Sequence, residues 1–251
     1  MIREAAKRGL RELGRTGLYQ RLPDSHNTVL VYHSVGGGGY DDISPDRFRR
    51  QLEWLTATYD LVDLPAVLER GERKRVALTF DDALRSFHGT VRPLLREFSV
   101  PATVFAIGAA VSDPPGIETI RGEPLMTAEQ LRAAADDPLV TVGSHTANHV
   151  ALSGITDDTA LREEINGGTE RIEAEVGVSV DRFSYPFYEF SEEAREIVSE
   201  RHGYAVRGGG SESLIDATTD PYLLPRINGA APLSTLKFTV SDAKKHLTRL
   251  T

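Results

Sequence analysis

The sequence predicts an α/β chain built on a parallel sheet covered by helices. Three observations carry that expectation. Short, continuous runs of apolar and β-branched residues read as strands buried on both faces. Amphipathic segments of helical period alternate with them. Polar residues able to do chemistry fall just where the apolar runs end: His33, Asp81, Asp82, His145 and the Tyr185–Pro186–Phe187 segment. Five or more such units make a barrel or an open doubly wound sheet, and in both the chemistry gathers at the carboxyl ends of the strands.

The elements follow in order. Residues 1–25 form a basic amphipathic helix, with Ile2, Ala6, Leu10 and Leu13 on one face and Arg3, Lys7, Arg8, Arg11 and Arg15 supplying charge. Gly9, Gly14 and Gly17 weaken it. It docks its stripe on the domain or makes weak contact with an anionic membrane surface. Residues 26–251 are one domain. "TVLVYHS" (28–34) is a strand. "SPDRFRRQLEWLTATY" (44–59) is a helix with Ser44 at its N-cap and Pro45 in its first turn. "RVALTFDD" (75–82), a helix over 87–98 and "ATVFAIG" (102–108) come next. A helix over 127–136 leads to "LVTVGSH" (139–145), and a long helix spans 156–176. "RFSYPF" (182–187), a helix over 191–201, "YAVR" (204–207), "YLLPRI" (222–227) and a last helix over 241–250 complete the chain.

The chain has 251 residues, 40% of them hydrophobic, which allows one sizeable core. A net charge of −8 argues against nucleic acid as a partner. With no cysteine, thiolate chemistry is excluded, and a metal must be held by His, Asp or Glu. No apolar run reaches the roughly 18 residues of a membrane span, and the N-terminal segment lacks the apolar region of a secretory signal. Both leave the compartment undecided between cytoplasm and membrane periphery.

Two features suggest a metal site. "GSHTANH" puts His145 and His149 four residues apart, so that in a helix or tight turn both imidazoles face one way. The adjacent Asp81 and Asp82 end another strand, where like charges repel and raise each other's pKa. A divalent cation resolves that repulsion: one carboxylate becomes a ligand and its neighbour stays ionised as a base. Alternation of side chains along a strand lets both reach the site only where the strand is ending. Two His and one carboxylate then leave open coordination positions.

"TFDDA", "HTANH" and "FSYPF", in this order, resemble the first three motifs of the polysaccharide deacetylase family, also called the NodB-homology or carbohydrate esterase 4 family. The similarity runs over residues 28–230. It implies a distorted, seven-stranded, TIM-like (β/α) barrel and a divalent metal, zinc before cobalt, nickel or manganese. It implies hydrolysis of N-acetyl groups on an N-acetylated glycan or sugar conjugate. By the same resemblance Asp81 is the base, and Asp82, His145 and His149 bind the metal. The chain departs from the family pattern in places. Ala83 and Tyr188 stand where glycine is usual, Ser184 replaces the arginine that orients the base, and the late "LxH" that supplies the acid is absent. A subgroup is more similar still: the exopolysaccharide deacetylases of poly-N-acetylglucosamine type, circularly permuted, with the acid histidine in an early "YH" segment. "VLVYHSV" makes His33 that acid. Arg226, at a strand end, then pairs with Asp81 in place of the missing arginine, with Arg182 as competitor.

Tyr185, Pro186 and Phe187 are expected to shape the pocket wall, and a backbone N–H at Phe187 or Tyr188 to hold the oxyanion. Trp54 reads as core, and His26, His88, His202 and His246 as structural or surface residues. Two rival readings remain: a degenerate member that binds carbohydrate without hydrolysing it, and a two-His-one-carboxylate iron oxygenase. The usual all-β scaffold of the latter conflicts with the strand–helix alternation.

Overall fold

The computed structural model describes residues 26–111, 115–208 and 214–242. The expected helix over 1–25 lies outside the described residues, as do His246 and most of 241–250. The strands are β1 (Thr28–Tyr32), β2 (Asp60–Leu61), β3 (Arg75–Phe80), β4 (Ala102–Ala106), β5 (Thr119–Ile120), β6 (Glu123–Pro124), β7 (Val140–Ser144), β8 (Arg182–Ser184), β9 (Tyr204–Gly208) and β10 (Leu224–Asn228). The helices are α1 (Pro45–Thr58), α2 (Arg92–Phe98), α3 (Ala128–Ala135), α4 (Asp158–Arg162), α5 (Gly168–Val176), α6 (Glu192–Arg201) and α7 (Leu233–Val240).

Seven parallel strands close into a barrel in the order β1-β10-β9-β8-β7-β4-β3, and β1 completes the ring by pairing with both β10 and β3. The doubly wound alternative is thereby set aside. The barrel is distorted at β8, which has three residues and meets β7 through the single register pair Ser144–Phe183. Period-two alternation sorts each strand into two faces. Val29, Ala77, Phe105, Val206 and Leu224, from five strands, meet in one cluster that fills the barrel. Their neighbours Leu30, Tyr32, Val76, Leu78, Phe80, Val104 and Val142 face outward into the main core, covered by Phe48, Leu52 and Leu55 of α1 and Leu94 and Leu95 of α2.

Helix starts follow their caps. Ser44 accepts from the Arg47 amide, and Thr127 forms a reciprocal capping box with Gln130. Trp54 is half-buried against this core, 5.5 Å from Tyr59 between ring centres. One expectation needs correction. The segment 156–176 is not one regular helix: a π turn over Glu163–Gly167 separates α4 from α5. Helix α7, over 233–240, is one that the sequence pattern did not predict. Its Thr and Val residues are poor helix formers, and burial of Leu236, Phe238 and Val240 outweighs them.

Candidate active site

The ends of β1, β3, β7, β8 and β10 build the site. The Asp81 amide makes the last ladder bond of β3, to Tyr32 O at 3.0 Å. Asp82 (φ 69°) and Ala83 (φ 50°) then turn the chain through left-handed conformations. That break in the alternation lets two consecutive carboxylates serve one mouth.

The "HTANH" stretch is a tight turn rather than a helix. Thr146 is left-handed (φ 66°) and its hydroxyl accepts from the His149 amide at 2.9 Å. Glu164, in the π turn, holds the same loop: its carbonyl accepts from Ala147 N (2.8 Å), and its carboxylate accepts from Asn148 N (2.9 Å) and Nδ2 (2.7 Å). Gly168 allows the close approach, since a Cβ there would lie 2.4 Å from Ala147 N. Glu164 carries no motif signature, and its role could not be read from spacing.

Asp82, His145 and His149 converge, with potential ligand atoms all within 4.8 Å of one another. Asp82 Oδ1 lies 3.2 Å from His149 Nε2 and 3.6 Å from His145 Nε2. Yet both Asp82 oxygens and His149 Nε2 are buried without a well-aligned hydrogen-bond partner. Orphaned buried polar atoms are rare in native proteins, and a bound ion is one of their ordinary explanations. His145 Nδ1 lies 2.7 Å from Ser184 O, the contact that fixes a ring so that its Nε2 lone pair points at a metal. Burial, only partly opposed by Asp81, pushes the His145 pKa down to about 4, so the ring is neutral at pH 7, as a ligand must be. The donor set therefore fits a divalent cation.

Asp81 sits in the opposite environment. Arg226 donates to both its oxygens, Nη1 to Oδ1 and Nη2 to Oδ2, each at 2.7 Å. Ser184 Oγ lies 3.2 Å from Asp81 Oδ1 and 3.1 Å from Arg226 Nη2. Burial alone would raise the Asp81 pKa, but Arg226, then His145 and His33, outweigh it and hold the carboxyl well below the usual range. Arg182, the competitor, instead pairs with Asp63 at 2.6 Å. His33 Nε2 lies 3.9 Å from Asp81 Oδ2, and its Nδ1 has no partner.

Of the three expected pocket-wall residues, Phe187 alone borders the ligand group, its ring 4.8 Å from His149. Pro186 is buried. Tyr185 is a correction: its ring packs outside the barrel with Phe183 and Phe190, because it alternates with Ser184, which points inward. The Tyr188 side chain has a place that the sequence, from which only its amide was expected to act, did not suggest. Its ring lies 5.8 Å from the Arg226 guanidinium and presses on Gly208, where any Cβ would clash with it. The other histidines lie apart from the site: His26 pairs with Asp242, His88 with Arg92, and His202 with Thr169.

The family model for polysaccharide deacetylase matches residues 69–206, more than half of the chain. The chain belongs to the polysaccharide deacetylase family. It is 24% identical over 185 residues to the putative polysaccharide deacetylase YxkH of Bacillus subtilis, covering 71% of this chain and 62% of that protein. It is 31% identical over 172 residues to the poly-β-1,6-N-acetyl-D-glucosamine N-deacetylase of Escherichia coli K12, covering 61% of this chain and 26% of that protein. The chain thus spans less than two thirds of either relative. In fold it is similar to IcaB from Ammonifex degensii (TM-score 0.73, 20% identity, 88% of this chain and 97% of that one). It is also similar to the Streptococcus pyogenes deacetylase PplD (TM-score 0.71, 19% identity, 86% and 99%). The barrel is therefore the polysaccharide deacetylase barrel. The family match contains Asp81, Asp82, His145 and His149; His33, at the end of β1, and Arg226, on β10, lie outside it, on the strands that close the ring.

Proposed function

We propose that this protein is a metal-dependent hydrolase that removes N-acetyl groups from an amino-sugar glycan or glycoconjugate. The observation that carries the reading is the contrast between two neighbouring carboxylates, one locked on Arg226 and one left for a cation. Asp82, His145 and His149 would hold the metal. Two nitrogens and one oxygen with open positions suit Zn2+ best, with Co2+, Ni2+ or Mn2+ as substitutes. A cation there supplies an acidified water and a polarised carbonyl.

The remaining work falls to the chain. Asp81, kept ionised by Arg226, takes the proton of the attacking water. The Tyr188 amide is engaged with Tyr185 O at 3.3 Å, which leaves the Phe187 amide to donate to the carbonyl oxygen as it gains charge. His33 gives a proton to the departing nitrogen, the C–N bond breaks, and acetate and a free amine result. The non-hydrolysing reading rested on the altered third motif and the missing late histidine; Arg226 paired with Asp81, and His33 beside that carboxylate, support hydrolysis instead. The test is amine release from a β-1,6-linked N-acetylglucosamine oligosaccharide. Turnover is expected to vanish with chelator and return with Zn2+. No release by metal-loaded protein, or release that survives chelation, would overturn the reading.

A further inference from the structure

The mouth of the barrel carries a cation that none of these steps uses. Four large apolar or aromatic side chains among the described residues are well exposed, and three of them, Tyr40, Phe187 and Tyr188, stand here. Tyr40 is edge-on to His33, 5.4 Å between ring centres, as Phe187 borders His149. Arg121, in the turn between β5 and β6, spans the gap. Its guanidinium carbon lies 4.5 Å from the Tyr40 ring centre and 5.7 Å from that of Phe187. The backbone is fixed there too: Arg121 is left-handed (φ 50°), and its carbonyl accepts from Tyr40 N at 3.1 Å.

Among the described residues, no carboxylate pairs with Arg121, in a chain holding 37 acidic against 29 basic residues. Arg182 and Arg226, by contrast, each have one. A guanidinium held over aromatic rings keeps its fork of N–H donors unspent, and that fork matches the paired oxygens of a phosphate or carboxylate. Its ring neighbours touch the proposed acid on one side and a proposed metal ligand on the other. An oxyanion on Arg121 is therefore one aromatic ring removed from the proposed acid and from a proposed metal ligand. We infer that Arg121 determines specificity by receiving an anionic group, a phosphate ester or a carboxylate, that the substrate carries next to its N-acylated sugar. The inference rests on the deacetylase reading for the position of the reacting amide.

The test compares three ligands: a neutral N-acetylglucosamine disaccharide, the same disaccharide bearing a phosphate monoester, and one in which glucuronate is the neighbour. The wild type should prefer an anionic ligand in kcat/KM, and which of the two it prefers identifies the source of the anion. R121Q should cut the anionic-to-neutral ratio at least tenfold, and R121K should fall between, because lysine keeps charge without the fork. The wild-type preference should shrink as salt is raised. Calorimetric binding of the same ligands to chelator-treated wild type and R121Q gives the ratio without turnover. A falling binding ratio with no turnover sinks the deacetylase reading and keeps Arg121. Turnover with an unchanged ratio in both assays sinks the inference and keeps the deacetylase. Neither binding nor turnover overturns both.

Discussion

Asp81 and Asp82 share a peptide bond and stand in opposite surroundings. Both oxygens of Asp81 are bonded, by Arg226 and Ser184, inside the barrel. Neither oxygen of Asp82 has a well-aligned partner, though it is equally buried. The same division separates the layer beneath the mouth from the mouth itself. Among the described residues, nine non-glycine residues have positive φ. Eight of them (Asp41, Asp82, Ala83, Arg121, Thr146, His149, Phe187 and Tyr188) belong to the loops around the site, and the ninth, Ser99, is an ordinary helix C-cap. Backbone strain gathers where a ligand belongs, on loops carried by the barrel below.

Two substitutions of the same chemistry would test this contrast, and they give the largest expected effects. Asp82→Asn should abolish metal retention, read by elemental analysis, and with it turnover. In metal-stripped protein it should change stability by no more than about 1 kcal/mol, because an amide keeps an oxygen facing the two imidazoles and no well-aligned hydrogen bond is lost. Asp81→Asn should keep the metal and lose about 10²- to 10⁴-fold in turnover. It should also cost about 3–5 kcal/mol in denaturant unfolding, because Arg226 is left as an unpaired buried charge. Equal stability losses for the two variants would erase the distinction.

Next in size is His33. If it protonates a leaving amine, His33→Ala should slow N-acetyl hydrolysis by about 10²-fold or more. An activated aryl acetate, whose leaving group needs no proton, should be affected far less. Parallel losses on amide and ester would place His33 among the positioning groups that surround Asp81.

The bonded layer was legible in the sequence and the strained one only in part. Apolar runs gave the seven barrel strands because continuous burial leaves a continuous pattern. The Ser44–Pro45 helix start was legible because a cap is a local event. The ligand residues were legible because they sit at strand ends in short motifs. Arg226 was reachable only by asking which cation replaces the one absent at Ser184. Tyr40, Arg121 and the place of the Tyr188 ring were not reachable, since they depend on loops whose paths need left-handed turns at non-glycine residues. The β5–β6 hairpin has two-residue strands, too short to show a period. Glu164 acts through a π turn that amphipathicity reads as plain helix.

His202 tests the bonded layer by pH. It is buried behind Phe183, with Nε2 3.0 Å from Thr169 Oγ1 and Nδ1 3.3 Å from Val198 O, whereas His149 has an orphaned Nε2. Burial, then the nearby Arg201, push its pKa down to about 4. Above the unfolded value near 6.5 both states are neutral and stability is unaffected. As pH falls below that, the unfolded chain gains a proton that the folded one refuses, so stability declines until pH reaches about 4. The whole contribution is about 3 kcal/mol. His202→Gln should flatten that part of the stability profile, measured by denaturant midpoints between pH 7 and 4.5. A slope that persists unchanged in the variant would assign it to other groups.

The smallest effect concerns strain at the mouth. Ala83 occupies a left-handed conformation (φ 50°) that glycine adopts without steric cost. An L-residue there carries roughly 1–2 kcal/mol of steric cost that glycine avoids. Glycine in turn gives the unfolded chain roughly 0.4–1 kcal/mol more entropy to lose. Ala83→Gly should therefore be neutral to stabilising by about 1 kcal/mol, with Asp82 still able to retain metal. A clear destabilisation would mean that the Ala83 methyl, buried in the main core, contributes more packing than its backbone costs, and that the turn after Asp82 is held by contact rather than merely tolerated.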